Sequence, residues 1–277
     1  MKKNDYKEMA SKVDLAWNYR NLLKKTEVKE LILKVITLLS QGAVRVATKT
    51  NGKWEVHERI KKAILLYFSI SENKVTEIGN LIFKDKINTK RDYPENSRVV
   101  PNAVAREGVF IGSEVILMPS YVNIGAYVDS GSMVDIGAAI GSCAQIGKRV
   151  HVSASAVIGG VLEPVQSSPV IIEDNAFIGA NSVIVEGVVI GEYAVVAASV
   201  TITSSTRIID VTQEKPLEHK GYVPPYSIVI PGSFTKEFAA GRYNVNCALI
   251  IGKRTAKTDK KVALNEALRA FEQKRSK

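Results

Sequence analysis

The chain has 277 residues, of which 45% are hydrophobic and 24% charged, and a formal net charge of +10 at pH 7. These proportions are typical of a soluble globular protein, and no run of about 18 consecutive apolar residues predicts a transmembrane helix. The charged start of the chain has no apolar segment of a secretory signal, so Cys143 and Cys247 are expected to be reduced thiols in the cytoplasm. The basic residues are dispersed and match no nucleic-acid recognition motif, which favours a solvated basic surface over nucleic-acid binding.

The first 97 residues predict a small N-terminal domain of helices and one hairpin. A helix is expected within residues 1–20, because four apolar residues share one side: Met9, Val13, Ala16 and Trp17. A second helix is predicted from Thr26, as its N-cap, to a stop at Gly42.

Two further elements and a linker complete this domain. Asn51-Gly52 is typical of a tight β-hairpin turn, and residues 57–70 have the apolar spacing of a third helix. Residues 84–97 are polar and are predicted to link the domain to the middle of the chain.

A large apolar residue then recurs every six residues. The first run is Val104, Phe110, Ile116, Val122, Val128, Val134, Ile140, Ile146, Val152 and Ile158, and a second run, in a new phase, is Ile172, Ile178, Ile184, Ile190, Val196 and Ile202. Four residues after most of them the side chain is small, as at Ser120, Ala126, Ser132, Ala138, Ala144, Ala156, Ala176, Ser182 and Ala194. This hexapeptide repeat predicts a parallel β-helix with the aliphatic residues stacked inside and the small ones at the corners.

Two segments interrupt the repeat. Residues 159–171 contain two prolines and are predicted to be a loop ejected from the coil, and residues 210–225 form a second excursion. Residues 226–232 are expected to be a last coil, residues 244–252 a strand, and residues 260–273 a final helix. The predicted domains are therefore 1–97, a β-helix over 98–232 that carries loop 159–171, and a C-terminal strand and helix over 233–277 that cap the coil.

Charged residues are rare within the repeat, and Arg98 and Asp135 stand out. Asp135 follows Val134, which is expected to point inward, so Asp135 should point outward as a functional group or as an ordinary solvated carboxylate. His151 is the one histidine in the main repeat and is interpreted as structural. A zinc site is not expected, because a β-helix carbonic anhydrase needs three converging histidines and the chain has only His57, His151 and His219.

Several stretches closely resemble the tetrahydrodipicolinate N-succinyltransferases. They are RVVPNAVAREGVFIGSEVILMPSYVNIGAYVDSGSMVD, GSCAQIGKRVH, IGGVLEPVQSSPVIIEDNAFIGA, SSTRI, VPPYSIVIPG and the tail CALIIGKRTAKTDKKVALNEALR. The resemblance implies a left-handed β-helix, a homotrimer, and active sites in grooves between subunits. It also implies transfer of a succinyl group from succinyl-CoA to the amine of the acyclic 2-amino-6-oxopimelate in lysine and diaminopimelate biosynthesis.

The resemblance also assigns roles to individual residues. The arginine of the R-V-V-P motif, Arg98, binds a substrate carboxylate, and the aspartate of the M-V-D motif, Asp135, contacts the substrate and takes part in catalysis. By their charge, Arg207 and the cluster of Lys253, Arg254 and Lys257 are candidates for binding the succinyl carboxylate or the phosphates of the coenzyme, with ordinary exposed surface charge as the alternative. The implied chemistry needs succinyl-CoA as a co-substrate and no metal, covalent intermediate or permanently bound cofactor.

The sequence departs from the family pattern near these residues. Ile136 and Gly137 replace Thr and Trp, Asn181 replaces Arg, and Val183 stands where a glutamate often considered catalytic is usual. Glu186, three residues further on, is the nearest substitute. Two alternatives therefore remain open: a related acyltransferase that uses acetyl-CoA or another amine, and a β-helix that binds ligands without catalysis.

Overall fold

The N-terminal region begins with three helices that pack against one another. A computed structural model describes residues 3–254, and no helix among them is long and apolar enough to cross a membrane. The helices are α1 (Lys3–Asn18), α2 (Thr26–Ser40) and α3 (Glu58–Ile70), with a 3₁₀ turn at Arg20–Lys24. Val13 and Ala16 of α1 are buried, which confirms the predicted apolar side of this helix.

The C-terminal end of α2 agrees with the prediction from the sequence, whereas its N-cap does not. Thr26 is the first residue of the helix and Lys25 is the N-cap, without a side-chain cap, so the prediction of Thr26 as the N-cap was wrong by one residue. Gly42 ends the segment with φ +70, as predicted, in a backbone conformation that favours glycine. A Cβ at Gly42 would lie 2.6 Å from the ring of Phe110, so the position also needs a residue without a side chain.

Two antiparallel hairpins lie in this region. Strands β1 (Ala47–Thr50) and β2 (Lys53–Val56) turn at Asn51-Gly52, where both residues have positive φ, as the sequence predicts. Strands β3 (Lys74–Ile78) and β4 (Leu81–Asp85) form a second hairpin that was not predicted and that extends into the start of the expected linker.

The repeat folds into two-residue strands separated by tight corners. In chain order they are β5 (Arg98–Val99), β6 (Val104–Ala105), β7 (Phe110–Ile111), β8 (Ile116–Leu117), β9 (Tyr121–Val122), β10 (Tyr127–Val128), β11 (Met133–Val134), β12 (Ala139–Ile140), β13 (Gln145–Ile146), β14 (His151–Val152), β15 (Val157–Ile158), β16 (Ile171–Ile172), β17 (Phe177–Ile178), β18 (Val183–Ile184), β19 (Val189–Ile190), β20 (Val195–Val196) and β21 (Thr201–Ile202). Every third strand pairs in parallel, which forms the parallel β-helix that the repeat predicts, and the coil is left-handed, as the resemblance implies.

The coil has three flat sides. Wall 1 contains β5, β8, β11, β14, β17 and β20, wall 2 contains β6, β9, β12, β15, β18 and β21, and wall 3 contains β7, β10, β13, β16 and β19. Successive coils are about 4.8 Å apart, because their strands are hydrogen-bonded neighbours. The aliphatic residues inside the coil form one continuous core together with the small corner residues.

The first coil is one residue out of the predicted phase. The residues that point inward there are Ala105, Ile111 and Leu117, whereas Val104, Phe110 and Ile116 were predicted. The corner between β8 and β9 has only three residues, 118–120, where the next corners have four, so the phase shifts by one at this point. From Val122 to Ile202 the predicted inward residues are buried.

Two excursions and a cap complete the structure. Loop 159–170 leaves wall 2 as predicted, although Ile171 already belongs to β16. The second excursion contains an unpredicted hairpin, β22 (Ile208–Asp210) and β23 (Leu217–His219), before β24 (Tyr222–Val223) rejoins wall 3.

The C-terminal strands close the last coil. Strand β25 (Ser227–Phe238) joins wall 1 and then forms a long antiparallel hairpin with β26 (Gly241–Lys253), which includes the predicted strand over 244–252. Ala248 and Ile250 of β26 are buried in the core of the β-helix, so this strand covers the open end of the coil. The predicted final helix over 260–273 lies outside the described residues.

Candidate active site

Asp135 lies at the corner between walls 1 and 2, immediately after β11. Its carbonyl accepts a hydrogen bond from the N–H of Ala138 at 3.1 Å, and Gly137, the third residue of this β-turn, has φ +71. The backbone N–H of Ile136 donates to Oδ1 of Asp135 at 2.7 Å. The side chain is 26% exposed and points outward, so one carboxylate oxygen is fixed by the backbone while the group stays accessible.

His151 is the side chain that the structure places beside this carboxylate. Its Nε2 lies 3.8 Å from Oδ2 of Asp135, within the range of an ion pair but longer than a hydrogen bond. The strand register explains the approach, because Met133 pairs with His151 and Asp135 lies two residues beyond Met133 on the same outer face. Phe177 is the next outward residue along wall 1, and its ring centroid lies 5.3 Å from that of His151.

Arg98 lies at the beginning of wall 1 and is exposed. It pairs in register with Ile116, which in turn pairs with Met133, so Arg98 is two coils below the level of Asp135. Two coil spacings correspond to about 10 Å. The two residues that the sequence singles out therefore share one wall of one chain without touching each other.

Glu186 lies at a different corner, between walls 2 and 3. Its Oε2 accepts hydrogen bonds from the hydroxyl of Ser204 at 2.6 Å and from the backbone N–H of Ser204 at 3.2 Å. Within one chain the structure does not bring Glu186 to Asp135, because the width of wall 2 separates their corners. Val183 is the first residue of β18 and lies in the outward row of wall 2.

Of the remaining predicted cations, Arg207 and Arg254 have partners within the chain. Arg207 forms a bidentate ion pair with Glu218 of β23, and its guanidinium carbon lies 4.2 Å from the ring centroid of Phe234. Arg254 is 7% exposed, and its Nη1 donates to the backbone carbonyl of Asn175 at 3.1 Å. Lys253 is exposed at the end of β26, and Lys257 lies outside the described residues.

Cys143 lies inside the protein at a corner of the coil. The thiol is completely buried, and this burial raises its pKa to about 12, against an opposing effect of the nearby Lys61. At neutral pH the group is therefore a protonated thiol, which is a poor nucleophile, so the structure gives no support to a catalytic cysteine at this position.

The outward rows of walls 2 and 3 have different surroundings. The helices and hairpin of the N-terminal region cover wall 3, where Nε of Arg45 donates to Oε1 of Gln145 at 3.1 Å and the Arg45 guanidinium lies 3.6 Å from the ring centroid of Tyr127. Wall 2 carries apolar side chains that face solvent in this chain, including Tyr121 and Val157, which are 40% and 38% exposed. Asp135 therefore lies at the edge of a wall whose apolar side chains are exposed within the described residues 3–254.

Known proteins match this chain over nearly its whole length. The family profile "Tetrahydrodipicolinate N-succinyltransferase N-terminal" matches residues 8–70, and "Hexapeptide repeat of succinyl-transferase" matches residues 169–204. A 2,3,4,5-tetrahydropyridine-2,6-dicarboxylate N-succinyltransferase from Pseudoalteromonas translucida is 49% identical over 276 residues, which cover 96% of this chain and 99% of the relative. The enzyme of that name from Nitrosomonas europaea is 52% identical over 251 residues, covering 88% of this chain and 90% of the relative. The chain belongs to the tetrahydrodipicolinate N-succinyltransferase family.

A solved structure supports the fold of this family member. It is a Campylobacter jejuni protein provisionally named as a 2,3,4,5-tetrahydropyridine-2-carboxylate N-succinyltransferase, with a TM-score of 0.51 and 20% identity. The match covers 80% of this chain and 62% of that chain. At this level of identity the likeness extends to the fold alone.

One feature of the site in this N-succinyltransferase family member was missed by sequence reasoning. The position of Asp135 directly after the inward Val134 predicts its outward direction, but His151 was interpreted as structural. The signal was present, because three hexads make one coil, so the residue 18 positions after Met133 is the neighbour of Met133 on the next coil. His151 is therefore the neighbour of Met133 on the outer face of wall 1 that Asp135 shares.

Proposed function

We propose that this protein acts in the cytoplasm as a homotrimer that transfers the succinyl group of succinyl-CoA to the amine of 2-amino-6-oxopimelate, which is formed from tetrahydrodipicolinate. This reaction belongs to lysine and diaminopimelate biosynthesis. Membership of the family makes the protein a coenzyme A-dependent N-acyltransferase. The observation that carries the proposal is the Asp135 carboxylate, which is oriented by the Ile136 amide and accessible at the edge of an apolar wall.

The proposed reaction requires a neutral amine. Asp135 accepts a proton from the ammonium group of the acceptor, and the nitrogen lone pair then attacks the thioester carbonyl carbon. A C–N bond forms as the carbonyl π electrons move to oxygen. When the carbonyl re-forms, the C–S bond breaks, and the coenzyme leaves as a thiol with the second proton of the nitrogen. The protein keeps one proton on Asp135, which passes to solvent.

Arg98 is proposed to bind a carboxylate of the acceptor. A guanidinium matches a carboxylate through two parallel hydrogen bonds, and Arg98 is exposed on the same wall as Asp135. The distance of two coils between Arg98 and Asp135 suits a dicarboxylate whose reacting amine lies at Asp135 and whose distant carboxylate lies at Arg98. Because Arg98 is exposed, it is accessible to a ligand held in a groove between subunits.

The assembly is proposed to form through wall 2. Exposed apolar rows on a soluble protein commonly mark a surface that another chain covers. Tyr121 and Val157 of this row lie on the wall that begins at the corner of Asp135. A neighbouring subunit on wall 2 therefore places a groove beside the carboxylate, which supports sites between subunits.

The other candidate residues differ in how far contacts within the chain leave them available to a ligand. Lys253 is proposed to attract the coenzyme phosphates, because it is exposed at the end of β26. Arg254 and Arg207 are weaker candidates for ligand binding, because a backbone carbonyl and Glu218 respectively engage their guanidinium groups. Within its own chain, the Glu186 carboxylate is engaged by Ser204. Glu186 is therefore proposed to act in catalysis only at a site between subunits, to which a neighbouring subunit contributes the other residues.

The test is a thiol-release assay with succinyl-CoA or acetyl-CoA and the tetrahydrodipicolinate-derived acceptor. We expect release with succinyl-CoA and a loss of about 10²- to 10⁴-fold in kcat for Asp135→Asn. Arg98→Ala should raise the KM for the acceptor, whereas Arg242→Ala, on the distant hairpin, should leave it unchanged.

Asp129→Asn is the matched control for Asp135→Asn. Asp129 follows β10 on wall 3, and its Oδ1 accepts from the N–H of Ser130 at 2.8 Å, which is the same local arrangement on a wall that the N-terminal domain covers. Full activity of Asp135→Asn would refute the role of Asp135. Release with acetyl-CoA alone would refute the proposed donor, and no release with either donor would refute transferase activity.

A further inference from the structure

We propose that His151 is a positioning residue that holds the Asp135 carboxylate in the orientation required for acyl transfer. The inference deepens the proposed function and rests on it. It replaces the interpretation of His151 as a purely structural residue of the repeat. The observation behind it is the approach of Nε2 of His151 to Oδ2 of Asp135, at 3.8 Å, on the outer face of wall 1.

The two oxygens of Asp135 have different surroundings. Oδ1 accepts the hydrogen bond of the Ile136 amide at 2.7 Å, while Oδ2 faces the imidazole of His151. With a hydrogen bond at Oδ1 and an imidazole 3.8 Å from Oδ2, the carboxylate has fewer accessible rotations about its last side-chain bond than a solvated one. It is therefore presented to a ligand in one orientation, which is the condition for a proton acceptor to act in a defined geometry.

The imidazole is itself held in place by the register of the coil. The backbone N–H of His151 donates to the carbonyl of Ala176 at 3.1 Å, and the side chain lies between the levels of Met133 and Phe177 on wall 1. The ring of Phe177 packs against it with an interplanar angle of 42°. Only 28% of the histidine side chain is exposed, so its position is fixed by packing as well as by the backbone.

The corner of Asp129 provides an internal comparison. Six residues earlier in the chain, Asp129 makes the same side-chain contact to the following amide, and Gly131 has a positive φ as Gly137 has. The residue on the next coil that corresponds to His151 is Gln145, because Tyr127 pairs with Gln145 as Met133 pairs with His151. Gln145 is engaged by Arg45 and by the carbonyl of Cys143. Of these two equivalent corners, only the one exposed beside wall 2 combines an aspartate with a histidine.

Electrostatic attraction between His151 and Asp135 also favours the observed arrangement. A protonated imidazole attracts the carboxylate across 3.8 Å, and a neutral one can still present a ring N–H to Oδ2. In either form, a substitution that removes the ring leaves Oδ2 without this neighbour. The expected consequence is slower proton transfer with little change in the binding of the acceptor, because Arg98 lies three coils from His151.

The test is a double-mutant cycle on the purified full-length protein, with succinyl-CoA and the acceptor. His151→Asn should lower kcat about 10- to 100-fold and leave the KM for the acceptor nearly unchanged. His151→Gln should recover part of the loss, because its amide can donate toward Oδ2. The Asp135→Asn/His151→Asn double variant should be no slower than Asp135→Asn alone, because a residue that acts through Asp135 has no effect once the carboxylate is gone.

The control is His219→Asn, the same substitution on the hairpin strand β23. It should leave kcat unchanged, and the melting temperature of each variant separates a folding defect from a catalytic one. A purely structural His151 predicts a lower melting temperature and losses that multiply in the double variant, and either that result or a fully active His151→Asn overturns the proposal. If the wild type releases no thiol, the proposed function and this inference fail together, whereas an active wild type with an active His151→Asn refutes the inference alone.

Discussion

Walls 2 and 3 of the β-helix are built from the same repeat and bury the same kind of aliphatic residue, but their outer faces differ. On wall 3 the outward row of Phe110, Tyr127 and Gln145 lies under the N-terminal domain, and Phe110 and Tyr127 stack with ring centroids 4.3 Å apart. On wall 2, Tyr121 and Val157 of the outward row are exposed among residues 3–254. The inward residues thus determine the coil, and the outward residues determine the partners that each wall contacts.

Because their outer faces differ, the two walls contribute to different properties of the protein. Wall 3 contributes to the stability of a single chain, because its contacts are made within that chain. Wall 2 leaves apolar surface in water, which favours association with another copy. Substitutions on the two walls should therefore affect different measurements, and the effects should decrease from wall 2, through wall 3, to the loop and the buried thiol.

Val157→Glu should have the largest effect. A charge in the middle of wall 2 has to be desolvated when a second copy packs there, so the assembly should dissociate and the transferase activity should fall at least about 10²-fold. Light scattering coupled to size-exclusion chromatography measures the assembly, and circular dichroism shows whether the single chain stays folded. Leu33→Glu, at an exposed position of α2, is the matched control. An intact, active assembly of Val157→Glu would rule out wall 2 as the interface.

Glu173→Ala should loosen the contact of the N-terminal domain with wall 3. Oε1 of Glu173 accepts hydrogen bonds from Nζ of Lys49 at 2.7 Å and Nε1 of Trp54 at 2.8 Å. Lys49 is 44% exposed, so its ion pair contributes little, and most of the effect should come from the indole that loses its acceptor. We expect a decrease of about 2 kcal/mol in the free energy of unfolding, measured by denaturant titration.

Glu192→Ala is the control for this variant, because its exposed carboxylate lies on the same surface. The two variants should differ in stability but not in the mass of the assembly. A dissociated but stable Glu173→Ala protein would reverse the roles assigned to walls 2 and 3.

Lys61→Met should have a smaller effect, confined to the loop that leaves wall 2. Lys61 of α3 is buried, and its Nζ donates to the carbonyls of Ser167 at 2.8 Å and Pro164 at 3.2 Å. Burial lowers the pKa of this lysine, so part of the loss of two hydrogen bonds is offset by the removal of a desolvated charge. We expect a decrease of about 1 kcal/mol in stability and faster hydrogen exchange in residues 159–170. Unchanged exchange there would show that Lys61 does not hold the loop.

Cys143→Ala should have the smallest effect on activity. The buried thiol, with its pKa raised to about 12, should resist alkylation at pH 8 in the native protein and react after unfolding. Mass spectrometry of iodoacetamide-treated protein reports this directly, and kcat of Cys143→Ala should match the wild type. Rapid native labelling together with a loss of activity would instead indicate a catalytic thiol at this corner.

Most of the fold could be predicted from the sequence because its signals are local and repeated. The six-residue spacing of Val122 to Ile158 and of Ile172 to Ile202 requires a coil with inward aliphatic residues, and Asn51-Gly52 requires a tight turn. The phase of the first coil was missed because one three-residue corner, 118–120, breaks the count. The hairpin β3–β4 was missed because its strand residues are mostly exposed, with no buried face to produce an alternating pattern.

The candidate site, like the fold, was predicted only in part. The sequence by itself determined the β-helix, the outward direction of Asp135 and, through its motifs, the family. Only the tertiary structure decided which side chains meet: His151 beside Asp135, Glu186 with Ser204, Arg207 with Glu218, and the N-terminal domain on wall 3. The physical reason is that periodicity reports the direction of each side chain relative to its own strand, whereas contacts between coils and domains depend on register and packing between segments that are far apart in the chain.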